Sequence, residues 1–290
     1  AVEESPKAVV RQQELARLAE LNGDMETMYK ACRKATGLSK NSVFRNADNY
    51  IRYAKALQAK IKHGSMRDQK LAISEAFSHI ETAKTDFHLN LSQMVKCGLV
   101  EAQTLHNSGK NLEGKMAYRA VCSMVKDDST LSLDDQLDML VAKLQFEDEA
   151  DSRAYGTDLL KKIGSNRRLQ SKYYSILDFH LSKLPEARME LLKQRGNELL
   201  GIKDYEEAWE VLYKATRLPC TDVDCQLDAL KAVVNLYKQG KRNSELLNQA
   251  NELFNILQNM DSGDPRYPTL EKLRLQWAEQ TPDDSQSATG

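Results

Sequence analysis

Apolar residues recur along this chain at the three- and four-residue spacing of amphipathic helices. Ala47, Tyr50, Ile51, Ala54 and Leu57, for example, fall on one helical face. Similar runs follow one another, each ended by a short break rich in Gly, Asn or Ser, at intervals of roughly 35 to 45 residues. Alternating runs typical of strands are absent. The pattern therefore predicts an all-α chain built from successive helical hairpins.

The breaks divide the chain into six predicted helix pairs and two further helices. A helix at 170–184 has no evident partner, and a final helix within 266–280 is expected to cover the last apolar face. Residues 5–280 are therefore predicted to form one repeat array, and the polar residues 281–290 a disordered tail. The predicted pairs are 5–21 with 25–35, 42–63 with 66–84, 87–107 with 112–126, 133–146 with 148–163, the two helices of 187–219, and 224–239 with 244–260.

Residues 187–219 carry the most specific pattern. Gly196 lies within the first helix, where a glycine costs about 1 kcal/mol relative to alanine, so we expect a close helix approach there. Ala208, Leu212 and Ala215 share one side of the second helix. That side is predicted to face Gly196.

The ends of these two helices are also marked. Asp204 is a predicted N-cap, and Glu207, three residues later, is the return half of a capping box. Tyr205 is a bulky residue suited to fill the space that the small residues leave. Pro219 is expected to stop the second helix.

These residues resemble a tetratricopeptide repeat (TPR) in type and offset. Leu192 and Arg195 depart from the family pattern, which usually has tryptophan and leucine there. The resemblance implies a right-handed superhelical solenoid of antiparallel helix pairs. Its concave face would bind a peptide or a helix of another protein, so we expect an interaction scaffold or adaptor. The matching residues are Gly196, Asn197, Tyr205, Ala208, Leu212, Ala215 and Pro219.

Lys193 and Asn197 are four residues apart and so lie on one helical face. The resemblance to TPR proteins implies that this face lines the concave groove. Family members that bind the C-terminal carboxylate of chaperone tails use a lysine and an asparagine at these two positions. A charge-assisted hydrogen bond would be the chemistry. The asparagine expected from the second repeat is missing here, so general partner contacts by Lys193, Asn197, Lys231 and Asn235 are the favoured hypothesis. A structural subunit of a large assembly is the other alternative.

The charge balance argues against nucleic acid as a partner. The chain has 41 Lys and Arg against 42 Asp and Glu, a formal net charge of −1, which creates no global field for a polyanion. One basic patch could contact phosphate or an acidic peptide, with Tyr173 and Tyr174 beside it for stacking. A solvated helix junction is the favoured interpretation because the flanking chain is balanced. The patch consists of Lys161, Lys162, Arg167, Arg168 and Lys172.

No motif for catalysis, a cofactor or a metal stands out. The five histidines lack the spacing of a helix-borne zinc site, and Cys220 and Cys225 lack the zinc-knuckle spacing. We therefore expect no enzyme activity. The sequence contains no run of 18 apolar residues, so no membrane span is predicted. Five scattered cysteines favour a reducing, cytoplasmic setting, although a cleaved signal peptide before residue 1 remains compatible with the sequence.

Overall fold

The computed structural model describes residues 6–40, 42–125 and 130–281. These residues form 14 α-helices and a 3-10 turn at Leu181–Lys183, with no strand among them. The all-α prediction is confirmed for this part of the chain. The helices are α1 Pro6–Leu21, α2 Met25–Ser39, α3 Ala47–His63, α4 Met66–Asp86, α5 Leu91–Asn107, α6 Asn111–Met124, α7 Leu133–Phe146, α8 Glu149–Ile163, α9 Arg167–His180, α10 Pro185–Gly201, α11 Tyr205–Thr216, α12 Val223–Lys238, α13 Ser244–Ile256 and α14 Tyr267–Gln280.

The chain divides into two compact units, and the boundary lies inside α9, between Gln170 and Ser171. In unit 1, which precedes this boundary, neighbouring helices pack as hairpins: α1 with α2, α3 with α4, α5 with α6, and α7 with α8. The first helices of these hairpins also pack against one another in order, α1 on α3, α3 on α5 and α5 on α7. A hairpin repeat is therefore visible in the packing of unit 1.

Unit 2, which follows the boundary, is built around α12. That helix packs against α10, α11, α13 and α14, and most of its side chains are buried. The final helix α14 contributes Leu270, Leu273 and Trp277 to the same core. Trp277 packs against Tyr237 of α12, with the ring centroids 4.7 Å apart. The last helix therefore covers apolar surface of α12.

The contact between α10 and α11 has the predicted geometry. A Cβ added at Gly196 would overlap Leu212 Cγ and Cδ2 and lie 2.9 Å from its Cδ1. Ala208 and Ala215 are fully buried on the same side of α11. The predicted N-cap is confirmed, since the Asp204 carboxylate accepts a hydrogen bond from the backbone N–H of Glu207. The missing side chain at 196 thus admits the leucine of the next helix.

Two further glycines allow close approach between α5 and α6. A Cβ at Gly114 would lie 2.9 Å from the Ala102 carbonyl oxygen, and a Cβ at Gly98 would overlap Cγ2 of Val121.

Left-handed backbone marks most of the tight connections. Gly23, Gly109, Gly164 and Gly240 have φ values of 71°, 86°, 53° and 87°, which glycine adopts without steric cost. Lys203, in the turn between α10 and α11, has φ 62° and is the non-glycine exception among the described residues.

Several predicted helix ends are displaced, and the caps explain the displacement. The second helix is predicted to end at residue 35, but it continues to Ser39. The third helix begins at Ala47, not at residue 42, because the Asn46 side chain caps it. A capping box formed by Asn90 and Gln93 likewise starts α5 at Leu91. Parts of three predictions, at residues 5, 126 and 282–290, lie outside the described residues.

Candidate functional site

The four predicted partner-binding residues lie on two neighbouring helices of unit 2. Lys193 and Asn197 are on α10, and Lys231 and Asn235 are on α12, which packs against α10. Asn197 is exposed, whereas the other three are half-buried. We call these four residues, with the acidic residues that contact them, the α10–α12 polar surface.

Lys193 is held by carboxylates of its own chain. Its Nζ donates to Asp222 Oδ2 at 2.7 Å and lies 4.0 Å from Asp224 Oδ2. Burial disfavours the charged ammonium, but the hydrogen bond and the nearby carboxylates outweigh it, so the pKa of Lys193 is raised. The lysine is therefore a cation whose position is fixed by an ion pair between α10 and the start of α12.

Asp222 performs two tasks in this arrangement. One carboxylate oxygen accepts the Lys193 hydrogen bond, and the other accepts from the backbone N–H of Cys225 at 2.7 Å, which caps α12. Partial burial raises the pKa of Asp222, but the bonds from Lys193 and Cys225 lower it by more, and the net pKa is below its usual value. The ion pair and the helix start thus depend on one side chain.

Lys231 and Asn235 are oriented along α12. Lys231 Nζ donates to Asp228 Oδ1 at 2.7 Å, and Asn235 Nδ2 donates to the Lys231 carbonyl oxygen at 2.8 Å. The Asp228 residue is nearly buried, at 9% exposure. Both lysines of the surface are therefore paired with acidic residues of unit 2.

The acidic partners were missed by sequence reasoning. Asp222 could have been recognised, because an aspartate just before an apolar periodic run is an N-cap signal. Arg266 also belongs to this region, since its Nη1 lies 3.5 Å from Asp224 Oδ1 while its guanidinium hydrogen-bonds Asp264. The hydrogen bonds from Arg266 lower the pKa of Asp264 to about 2. No spacing rule predicts these pairs, which join separate helices and a loop.

Two residues of the predicted basic patch form local ion pairs. Lys161 Nζ lies 3.1 Å from Asp158, and Arg168 donates two hydrogen bonds to Asp134. Tyr173 and Tyr174 are 6% and 8% exposed, and the Tyr174 hydroxyl donates to Glu198. These two rings are therefore not presented to a nucleic-acid base. Of the remaining members, Lys162 lies in α8, and Arg167 and Lys172 lie in α9.

Polar side chains also join the first helices of unit 1. Lys55 Nζ on α3 lies 3.0 Å from Glu20 of α1 and 3.3 Å from Asp138 of α7. Arg52 donates to Glu20 at 2.7 Å. Burial opposes ionisation of Glu20, but Lys55 and Arg52 outweigh it and lower its pKa. This network ties three of the stacked helices together.

The described residues contain no group of three or more His, Cys, Asp or Glu side chains placed to hold a metal ion. Cys225 is buried, and Cys220 is half-buried. Burial raises the pKa of the Cys225 thiol to about 11, so it is a poor nucleophile at neutral pH. Among the described helices, none is both long and apolar enough to cross a membrane.

Comparison with protein-family models gives no match, and comparison with curated protein sequences gives none either.

Proposed function

We propose that this chain is a TPR-like, right-handed superhelical solenoid that works as an interaction scaffold. In this proposal unit 2 binds a segment of another protein on the α10–α12 polar surface. The observation that carries it is the placement of Lys193, Asn197, Lys231 and Asn235 on two packed helices. Such neighbouring polar residues give several contacts to one partner. The cytoplasmic setting predicted from the cysteines belongs to the proposal.

The chemistry of the surface favours recognition of a polypeptide. The side-chain amides of Asn197 and Asn235 each offer donors and an acceptor, which suit the N–H and C=O groups of a bound backbone. The paired charges of Lys193 with Asp222, and of Lys231 with Asp228, fix neighbouring side chains before binding. Fixed side chains lose less entropy when a partner arrives.

Binding of a chaperone tail is the more specific alternative. A terminal carboxylate at Lys193 would have to displace Asp222, which already accepts the lysine hydrogen bond at 2.7 Å. Displacement would also weaken the cap of α12. These competing contacts favour a partner recognised through its backbone over one recognised through a terminal carboxylate.

The test compares two double variants as baits in native extract, with quantitative mass spectrometry. Lys193→Glu with Asn197→Ala alters the proposed surface. Lys214→Glu with Asn248→Ala makes the same changes at exposed positions on α11 and α13. We expect a defined set of bound proteins to be retained by the wild type and the control, and lost from the site variant.

Equal retention by both variants, with helical content unchanged, would contradict the proposal. Loss of solubility or self-association of the purified wild-type chain would instead support the alternative of a structural subunit of a large assembly. Light scattering separates that case from a monomeric scaffold.

A further inference from the structure

Unit 1 carries an apolar groove of about 500 Å³. Helix α5 packs against both α4 and α6 and forms the floor between them, where Cys97 and Gly98 lie. Phe87, which follows α4, and Met124, at the end of α6, line the two sides. A volume of this size is large enough to accept apolar side chains of another polypeptide.

An apolar stripe on α6 leads into this groove. Leu112, Met116, Ala120 and Met124 follow one another at four-residue steps, and each step turns by about 40° around the helix axis. Leu112 is 71% exposed, Met116 62% and Met124 41%, while Ala120 and Met124 also line the groove. The stripe is about 18 Å long, which equals roughly three turns of a docked helix.

The side chains of this surface are suited to a helix. Methionine is flexible and polarisable, and it adapts its shape to apolar partners. Met94, Met116 and Met124 supply three such residues, and Met94 lines the groove beside the small residues Gly98 and Ala120. The small, exposed side chain of Ala120 permits close approach of a partner backbone.

Basic and acidic side chains are not balanced along the stripe. Lys115 and Arg119 are exposed next to Met116 and Ala120, and neither forms an ion pair within the described part of the chain. At the groove itself, Lys84 is paired with Glu101 at 2.6 Å. Glu113 is exposed in the first turn of α6, where the helix dipole stabilises a carboxylate. One flank of the stripe therefore remains cationic.

We propose that this α6 groove binds an amphipathic helix of a partner protein that carries acidic residues along one edge of its apolar stripe. Apolar residues at i, i+4 and i+7 would enter the groove, as in other helix-in-groove complexes. The acidic edge would meet Lys115 and Arg119. A second copy of this chain fits less well, because antiparallel pairing of α6 with α6 about a two-fold axis places Lys115 and Arg119 of the two copies on the same side of the contact.

The experiment selects helices from a displayed library against the full chain. Each member is an amphipathic helix of about 16 residues with fixed leucines, and with Glu, Lys or Gln at random beside the leucine stripe. We expect enrichment of glutamate on one edge only. Fluorescence anisotropy of an enriched peptide should then show binding to Met116→Glu weakened at least about 10-fold, as for a central apolar contact.

Matched variants identify the surface. Leu71→Glu introduces the same charge at a residue 60% exposed on α4, and it should bind like the wild type. Lys115→Glu with Arg119→Glu should weaken binding about 3- to 10-fold, with a loss that shrinks at high salt. Arg33→Glu with Lys34→Glu, the same pair of changes at exposed positions on α2, should have no effect.

Three outcomes would overturn the proposal. The first is no enrichment, or enrichment of lysine. The second is binding that Met116→Glu leaves unchanged although circular dichroism shows the fold intact. The third is self-association of the wild-type chain that Met116→Glu abolishes, which would assign the groove to a second copy. The Lys193→Glu, Asn197→Ala variant should bind the peptides normally, so failure of one proposal is distinguishable from failure of the other.

Discussion

Gly196 determines how closely α10 and α11 approach. The Leu212 side chain occupies the space that a Cβ would need, and Leu212 is itself fully buried. A methyl group at 196 would therefore force either the leucine out of its rotamer or the helices apart.

We expect Gly196→Ala to lower the free energy of unfolding by about 1–3 kcal/mol, the usual cost of overpacking, despite the better helix propensity of alanine. Urea titration followed by circular dichroism measures it. Gly201→Ala is the matched control, since no neighbouring atom lies within 4 Å of its Cβ position. The control should be neutral or stabilising by up to about 1 kcal/mol. An equal loss in both variants would contradict this account.

His79 is a half-buried titratable residue inside unit 1. Its ring stacks on Tyr53 with the centroids 4.2 Å apart, and Tyr50 lies on another side at 5.7 Å. Its Nε2 is 3.8 Å from Glu75 Oε1 and has no hydrogen-bond partner within the described chain. Burial outweighs the carboxylate, so the pKa of His79 is lowered.

A lowered pKa means that the unfolded chain binds the proton more readily than the folded chain does. Stability is therefore full above the unfolded pKa of about 6.5 and is lost as the pH falls through it. From about pH 7.5 to about pH 5.5, we expect the free energy of unfolding to fall by at most about 1.4 kcal/mol per pH unit. His79→Phe keeps the stacked ring and should flatten this dependence.

Urea titrations across that range test the pH prediction. His88→Phe, the same change at an exposed residue of unit 1, should retain the wild-type dependence. If His79→Phe retains it as well, another group is responsible for the loss at low pH.

At the scale of elements, Arg195 connects three helices from a buried position on α10. The residue is 3% exposed. Its guanidinium donates to Glu207 of α11 at 3.1 Å and lies 4.8 Å from the Tyr174 ring centroid. Glu198 is a second carboxylate nearby, at 3.6 Å. The buried cation is therefore compensated by groups on α9, α10 and α11.

The two partners of this ion pair should respond unequally to mutation. Arg195→Leu places an apolar residue in the core, and Glu207, whose side chain is 30% exposed, can be solvated. We expect a change within about 1 kcal/mol. Glu207→Leu leaves a buried guanidinium with one carboxylate fewer, so a loss of about 1–3 kcal/mol is expected. Urea titration measures the free energy of unfolding of both variants. A larger loss of this free energy for Arg195→Leu than for Glu207→Leu would contradict the predicted asymmetry.

Helix order and the α10–α11 contact were predictable, because both follow from local spacing. Helical periodicity alone predicts that Gly196 and Leu212 lie on the facing sides of their two helices. The pairing of Lys193 with Asp222 was not predictable, since it depends on how α10 packs on α12. Caps such as Asn90 shifted helix starts by a few residues because polar side chains there satisfy the first backbone N–H groups. The spacing of apolar residues does not indicate which polar side chain caps a helix.

At the scale of the molecule, each unit has apolar clusters of its own. The cluster of unit 2 extends from Leu192 on α10 to Trp277 on α14, while two clusters fill unit 1. A unit with its own core is expected to fold independently.

We therefore expect residues 167–281, which begin with α9, to be helical and to melt in one cooperative transition when produced alone. Circular dichroism measures both properties. Trp277→Ala in this fragment should reduce stability by about 3–5 kcal/mol, since it empties space beside Tyr237. A fragment with little helical signal would show that unit 2 requires the rest of the chain.

The left-handed backbone at Lys203 has a consequence for how much stability the chain retains. A residue with a Cβ in this conformation costs about 1–2 kcal/mol relative to right-handed backbone, and the other described connections with positive φ avoid that cost by using glycine. Lys203→Gly should therefore raise the midpoint of thermal unfolding, whereas Lys214→Gly, within α11, should depress it. The α10–α11 hairpin thus folds against a conformational penalty in its own turn, which a single codon change would relieve.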